Sequence, residues 1–353
     1  MTDKSLTTVS TSLIIVNYNS ANYIHTCLQA ITTTTTHTEI IVVDNASTDD
    51  SPTTIAQRWP QITLLHSDHN LGFGGANNLG AHHASGDILI FLNPDTIPQP
   101  NWLQPLISPL QADNNVGLTT AKILIQQNPT QINAAGNDIH CTGITLCRGL
   151  HQPASSLNTP LPVSAISGAA FAIRRHLFLD LGGFDHTFFM YMEDTDLSWR
   201  AWLAGWQTLY TPDSLIWHDY SLRFGPNKIF YQERNRYLML LKSLHWRTLL
   251  LMLPALLGAE IISWGFVLWG DRPNWRNKLR VYRWLFQNRK MILQKRDQTQ
   301  QQRQKTDRDL IQLMGFRLAF TQVTQGFIAT MAQTIFDPFF FLCHRLLLLG
   351  VRW

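Results

Sequence analysis

Three short runs of apolar, mostly β-branched residues, each ending in asparagine or aspartate, constrain this chain more than any other feature. They are Ser12 to Val16 (SLIIV) before Asn17-Tyr18-Asn19-Ser20, Glu39 to Val43 (EIIVV) before Asp44-Asn45, and Ile88 to Leu92 (ILIFL) before Asn93-Pro94-Asp95. Runs this short and this apolar have no polar face to give to water, so they read as strands buried on both sides. Helical patterns lie between them, with a further short strand at Ile62 to Leu65. Strand, polar loop and helix, repeated with short connections, predict an open, mostly parallel α/β sheet. Such sheets bind ligands beyond the carboxyl ends of their strands, which here carry polar residues in place of apolar filler. That edge is the expected rim of a site.

A glycine-rich loop follows the third strand: Asn70-Leu71-Gly72-Phe73-Gly74-Gly75-Ala76-Asn77-Asn78. A dinucleotide fingerprint would place GxGxxG after the first strand, where this chain has NYNS, and no GxxxxGK[ST] phosphate loop occurs. The third-strand glycines serve either tight helix packing or close approach of the backbone to a nucleotide-sugar, and both readings stay open at this point.

Farther along, Phe188 to Trp206 (FFMYMEDTDLSWRAWLAGW) crowds Glu193, Asp194 and Asp196 behind the aromatic residues Phe188, Phe189 and Tyr191. Asp194 and Asp196 suit a first helical turn, and the later apolar positions recur at helical spacing. Three neighbouring carboxylates repel one another, so the cluster asks for either an ion pair such as Arg200 or a chemical role. Ahead of it, Val163 to Arg175 reads as a strand interrupted by small residues around Gly168, a density that suggests close approach to a ligand or another backbone. Beyond it lie a short strand (Thr208 to Tyr210), a proline turn, and Ser214 to His218.

The 353 residues are 45% hydrophobic, carry a net charge of +4 and have 15% charged residues. So mild a basic balance does not call for a nucleic-acid partner. The four cysteines form no CxxC, and His140, Cys141, Cys147 and His151 fit no zinc spacing; incidental thiols of a reducing compartment are expected. MTDKSLTTVSTS lacks the apolar segment of a signal peptide, which predicts a cytoplasmic catalytic part.

The tail, residues 246–353, reads as an all-helical appendage to a first domain at 1–245. Leu249 to Trp269 is long and apolar enough to span a bilayer, but basic residues flank both of its ends. Phe316 to Trp353 is apolar again, after a polar Gln-rich connector near 294–309. Two hairpins lying in the membrane plane, with Trp264, Trp269 and Trp275 at headgroup level, fit better than true spans. Dimerisation through a soluble helical module is the remaining alternative.

Taken in order, IIVNYNS, VVDNASTDDS, NLGFGGANNLG, FLNPDT, SGAAFAIRR, GGFDHTFFMYMEDTDLSWR, IWH and YQERNR resemble an inverting family 2 glycosyltransferase of the GT-A fold, a Rossmann-like sheet, in its rhamnosyltransferase-like branch. The likeness runs from about Ser12 to Lys242. It implies a nucleotide near Asn17, Asn19, Asp44 and Asn45, with Asn70, Gly72, Asn78 and Asn93 on the same side. Asp95 matches the last acid of the family's metal-binding DxD, whose first acid is Asn93 here, and His218 would be a second protein ligand for Mg2+ or Mn2+. Asp194 matches the general base. Glu193 and Asp196 would orient the acceptor, with Gly168 and Tyr191 beside it. The implied donor is a dTDP- or UDP-linked sugar, rhamnose among them. The implied acceptor is a glycan or lipid-linked hydroxyl in cell-surface polysaccharide assembly, with the enzyme peripheral on the inner face of the cytoplasmic membrane and self-association open. A catalytically inactive nucleotide-sugar-binding or scaffold protein on the same fold is the alternative.

Overall fold

The computed structural model describes residues 9–35, 37–220, 227–270, 272–322 and 327–353. The N-terminal stretch at residues 1–8 and the side chain of Trp269 lie outside the described residues. Strands β1 (Thr11–Asn17), β2 (Thr38–Asp44), β3 (Thr63–His66) and β4 (Ile88–Leu92) build a parallel half-sheet. β1 pairs with both β2 and β4, and β3 lies outside β2. Helices α1 (Ile24–Thr34), α2 (Ser51–Arg58) and α3 (Gly72–His83) make the crossovers. The chain leaves β1 toward one edge and returns at β4 on the other side, opening a crevice beyond their carboxyl ends. Leu13, Ile15, Ile90 and Leu92 fill one layer, while Ile14, Val43, Leu89 and Phe91 fill the other.

The second half departs from a simple parallel sheet. After β5 (Thr96–Pro98) and α4 (Leu103–Ala112) come β6 (Val116–Ile125), β7 (Asn128–Ala134), β8 (Asn137–His140), β9 (Thr145–Cys147) and β10 (Leu161–Pro162). Then follow β11 (Ala170–Arg174), α5 (Arg175–Asp180), α6 (Glu193–Leu203), β12 (Gln207–His218) and α7 (Lys228–Ser243). The order across the sheet is β10-β12-β6-β11-β4-β1-β2-β3, and β11 runs antiparallel to both of its neighbours. The strand expected from Val163 begins only at Ala170, because the small residues before it form the turn that carries Gly168. The expected proline turn after Tyr210 is instead a register shift between Thr211 and Leu215 within one long strand. Pro212 has no N–H to give to the ladder, and a bulge absorbs the missing bond.

The C-terminal region is helical: α8 (Trp246–Gly270), α9 (Arg276–Gln287), α10 (Arg289–Gln301), α11 (Asp307–Leu313) and α12 (Phe327–Gly350), with Met314–Gly315 as strand β13. α8 and α12 are long and apolar enough to cross a membrane by length and composition. They pack against each other as an antiparallel pair, Gly258 meeting Phe339 at one end and Gly350 meeting Leu251 at the other. β13 pairs with β8, and Ile139, Phe188, Leu238, Met252, Leu310 and Phe340 share one buried cluster. The polar face of α8 is pinned midway: Glu260 lies 3.1 Å from Arg236 of α7 and 2.9 Å from Lys278 of α9. Lys278 also bonds Glu233 of α7 at 2.5 Å, so these buried charges are mutually paired.

Candidate active site

Helix α6 opens with Glu193, Asp194 and Asp196 in its first turn, where the helix dipole favours carboxylates. The three side chains part company there. Asp194 is half-buried; its Oδ2 accepts from the Gly168 N–H at 2.9 Å and from Asn137 Nδ2 at 3.4 Å, while Oδ1 accepts from the Thr195 N–H at 2.7 Å. A Cβ on residue 168 would stand 3.3 Å from Asp194 Oδ2, so glycine there permits the close approach. Burial raises the Asp194 carboxyl above its ordinary value, against the pull of the Gly168 and Thr195 amides. Glu193 is buried and its Oε2 has no hydrogen-bond partner among the described residues. Burial first, then the neighbouring Asp194 charge, push it up to about 8. Raised that far, Glu193 keeps its proton at neutral pH.

Asp196 goes elsewhere. It is fully buried, 2.8 Å from Arg200 Nε and 2.8 Å from Lys242 Nζ, and Lys242 also pairs with Asp185. This ion cluster fixes the helix start and does not face the acceptor side as expected. Phe188 is likewise core rather than pocket wall, with the Lys242 ammonium 5.0 Å above its ring. Tyr191 keeps a half-buried place beside the acids, with Lys228 5.5 Å above its ring.

The asparagines expected on the nucleotide side are mostly engaged with neighbouring loop residues. Asn17 is fully buried and donates to Asp44 Oδ1 at 2.9 Å, Ser47 at 3.0 Å and Ser51 at 2.9 Å. Asn19, at φ 50, accepts from the Thr48 N–H at 2.8 Å. Asn45 accepts from the Leu71 N–H at 2.8 Å and donates to Asn70 at 3.0 Å, fixing the glycine loop. Gly72, at φ +73, approaches the backbone of Phe189, whose carbonyl accepts from the Phe73 N–H at 2.7 Å. Asn78 was expected to face the nucleotide. Its amide instead bonds both backbone groups of Phe184 at 2.8 Å, because it sits on the face of α3 turned toward that loop.

Asp95 and His218 come together. His218 ends β12, which pairs with β5 just past Asp95, and its Nε2 lies 3.4 Å from Asp95 Oδ1. His218 Nδ1 is 2.9 Å from Asn133 Oδ1, and an amide oxygen can only accept, so Nδ1 carries the hydrogen. With the ring neutral, Nε2 turns its lone pair to a carboxylate oxygen that is buried and has no hydrogen-bond partner among the described residues, and with the ring protonated the two atoms form an ion pair. Two facing lone pairs fit a divalent cation between them, although no cluster of three or more metal-type side chains occurs among the described residues. One hydrogen bond ties this corner to the turn beside Asp194: the Asn93 N–H donates to the carbonyl of Ala169, next to Gly168, at 3.0 Å.

Residues 12–182 match the model of glycosyl transferase family 2. Over that stretch, just under half of the chain, the sequence is that of a family 2 glycosyltransferase domain. The match takes in the strand ends and Asp95 but stops before Asp194 and His218. The chain is 27% identical over 231 residues to N-acetylglucosaminyl-diphospho-decaprenol L-rhamnosyltransferase of Mycobacterium tuberculosis, covering 58% of this chain and 75% of that protein. It is 29% identical over 195 residues to the O-antigen biosynthesis protein RfbC of Myxococcus xanthus, covering 52% of this chain and only 15% of that protein's length. Among solved structures, GalNAc-T7 with UDP, GalNAc and Mn2+ aligns with TM-score 0.56 at 21% identity, over 67% of this chain and 48% of that one. S. aureus TarS 1-349 with UDP-GlcNAc aligns with TM-score 0.53 at 15% identity, over 98% of this chain and 93% of that one. At such identities the structural likeness is one of fold, the GT-A fold expected from the sequence.

Around the glycosyltransferase site, sequence reasoning assigned no role to Asn133, Asn137 or Asn235. Asn133 and Asn137 flank the β7–β8 turn and bond His218 and Asp194 respectively. Nothing in NAAGNDIH marks them in advance. Asn235 belongs to the quoted YQERNR stretch, which was a signal without an interpretation.

Proposed function

We propose that the chain moves a sugar, with inversion, from a nucleoside diphosphate to an acceptor hydroxyl. The observation that carries this reading is the single corner formed by Asp194, Gly168 and Asp95 at the carboxyl edge of the sheet. Asp194 takes the acceptor proton as the acceptor oxygen bonds to the anomeric carbon and the bond to the diphosphate breaks on the opposite face. A general base of this kind is worth ~10²–10⁴-fold. Protonated Glu193 donates a hydrogen bond to the acceptor, and Tyr191 flanks it. On the donor side, Asp44 and Asn45 hold the nucleotide, with Asn17, Asn19, Asn70 and Gly72 fixing their loops. Asp95 and His218 would hold Mg2+ or Mn2+, and the bound cation would supply charge neutralisation for the leaving diphosphate.

The dTDP- or UDP-linked donor is the one the family resemblance implies; the relative in Mycobacterium tuberculosis makes rhamnose the first sugar to test and a lipid-linked diphosphate the first acceptor. The enzyme then works peripherally at the inner face of the cytoplasmic membrane. The exposed stripes Leu250, Leu257, Ile261 on α8 and Ile335, Leu342, Leu346 on α12 support that placement. The lateral ties of Glu260 favour a helix lying against the domain over one crossing lipid alone. A thermal-shift screen of nucleotide-sugars with and without Mn2+ tests the reading. The melting temperature is expected to rise only when both are present, and no metal-dependent nucleotide shift in any pairing would overturn it.

A further inference from the structure

The acids of α6 are reached through a backbone that few residues adopt willingly. Phe189, Tyr191 and Met192 all have positive φ, at 62°, 66° and 66°, and none is glycine. Phe189 adds a ψ of −58°, and the Met190 N–H reaches back to the Phe188 carbonyl at 2.7 Å in a three-residue turn. Each such residue costs ~1–3 kcal/mol, so the surroundings must over-determine the loop.

One side chain does most of this. The Asn235 Nδ2 lies 3.0 Å from the carbonyl of Phe188, 2.9 Å from that of Met190 and 2.7 Å from that of Tyr191. Its Oδ1 accepts from Arg234 Nε at 2.9 Å, and since arginine only donates, the amide is fixed with both N–H groups toward the loop. Arg234 itself donates to the carbonyls of Thr187 and Phe188, each at 2.7 Å. Asn235 is fully buried and Arg234 nearly so, which keeps both away from substrate. The clamped loop runs straight into Glu193 and Asp194, and the Asp196 N–H donates to the Met192 carbonyl at 2.9 Å.

We propose that Asn235 is the positioning residue of the Glu193–Asp194 pair: by holding three carbonyls of a strained loop it sets where the base stands, as the glycosyl-transfer reading requires. The neighbouring side chains extend the same hold. Arg236 and Glu233, on the same helix, are bonded to Glu260 and Lys278 of the apolar tail, so α7 is braced from behind while Asn235 works in front. An aspartate at this position would aim a carboxylate at three carbonyl oxygens, and an alanine would remove the Asn235 donor from all three, leaving the Phe188 carbonyl only its bonds from Arg234 and the Met190 N–H.

Two arms test the proposal in the full-length chain. Hydrogen–deuterium exchange without ligand reads the clamp directly. In Asn235→Ala, the amides across 189–196 are expected to exchange at least tenfold faster, with β1 and β4 unchanged. Unchanged exchange there, or an equal rise throughout the sheet, would overturn the proposal. In the transfer assay, with the nucleotide-sugar that shifts the wild type, kcat is expected to fall ~10²-fold, as for a base displaced by about 1 Å, with donor KM within twofold. Adding Met192→Gly, which adopts positive φ without strain, should recover tenfold or more. A loss confined to donor KM, or no recovery, would count against positioning. If Asn235→Ala does not fold, Asn235→Ser with the same two readouts takes its place. A wild type inactive with every nucleotide-sugar would sink the glycosyl-transfer reading, while the exchange arm still judges the clamp.

Discussion

His218 Nε2 faces Asp95 Oδ1 across 3.4 Å, while its other ring nitrogen is engaged by Asn133. An imidazole nitrogen and a carboxylate oxygen so placed pair directly when the ring is protonated and can hold a divalent cation when it is neutral. Asp95→Ala and His218→Ala are each expected to abolish the Mn2+-dependent part of nucleotide binding, read by titration calorimetry. Asn133→Ala, which frees the ring to turn, should weaken it ~10–100-fold. Metal dependence that survives His218→Ala would remove the histidine from the site.

Glu193 titrates in the opposite sense to a salt-bridged acid. Its folded-state value is raised, so the folded chain holds this proton more tightly than the unfolded chain does. The stability it contributes is complete below the ordinary value of 4.5 and is lost as pH rises through about 8. Thermal melts should therefore show the wild type losing ground to Glu193→Gln across that interval. Melting curves that keep a constant offset from pH 5 to pH 8.5 would show that Glu193 carries no such proton.

Gly72 is required by the geometry of its own turn. At φ +73 a Cβ would come within 2.3 Å of the Phe189 carbonyl oxygen. Gly72→Ala is expected to cost at least ~1–3 kcal/mol in denaturant unfolding, because it must distort either its own turn or the loop before Glu193. A change below ~0.5 kcal/mol, the usual range for a neutral surface substitution, would show that the two loops are free to separate.

The apolar stripes of α8 and α12 should bind a bilayer without crossing it. Leu257 and Leu346 are 63% and 58% exposed, so charging them leaves the core intact. Leu257→Glu with Leu346→Glu is expected to release the chain from vesicles containing anionic lipid, and alkaline carbonate should extract the wild type from membranes. Resistance to carbonate would instead indicate true spans.

The sequence made some of this legible and hid the rest for physical reasons. The parallel half-sheet was readable because SLIIV, EIIVV and ILIFL are buried on both faces and end in polar residues. The direction of β11 was not, since AFAIR packs equally well either way and only its partners β4 and β6 decide. The proximity of Asp95 and His218 followed from the family likeness alone, because their strands pair over a long separation in sequence. Asn78 and Phe188 look like site residues in a linear reading. One is turned to the Phe184 backbone by its place on a helix, and the other is enclosed when α7 packs down. Asn235 was hidden for the same reason: its three carbonyl partners lie far upstream in the chain.

The central claim is that Asp194 is the base and that donor binding does not depend on it. The direct measurement is sugar transfer by Asp194→Asn beside calorimetric binding of the nucleotide-sugar with Mn2+. Transfer is expected to fall by ~10²-fold or more while donor affinity stays within about threefold of wild type. Turnover near the wild-type rate would contradict the account.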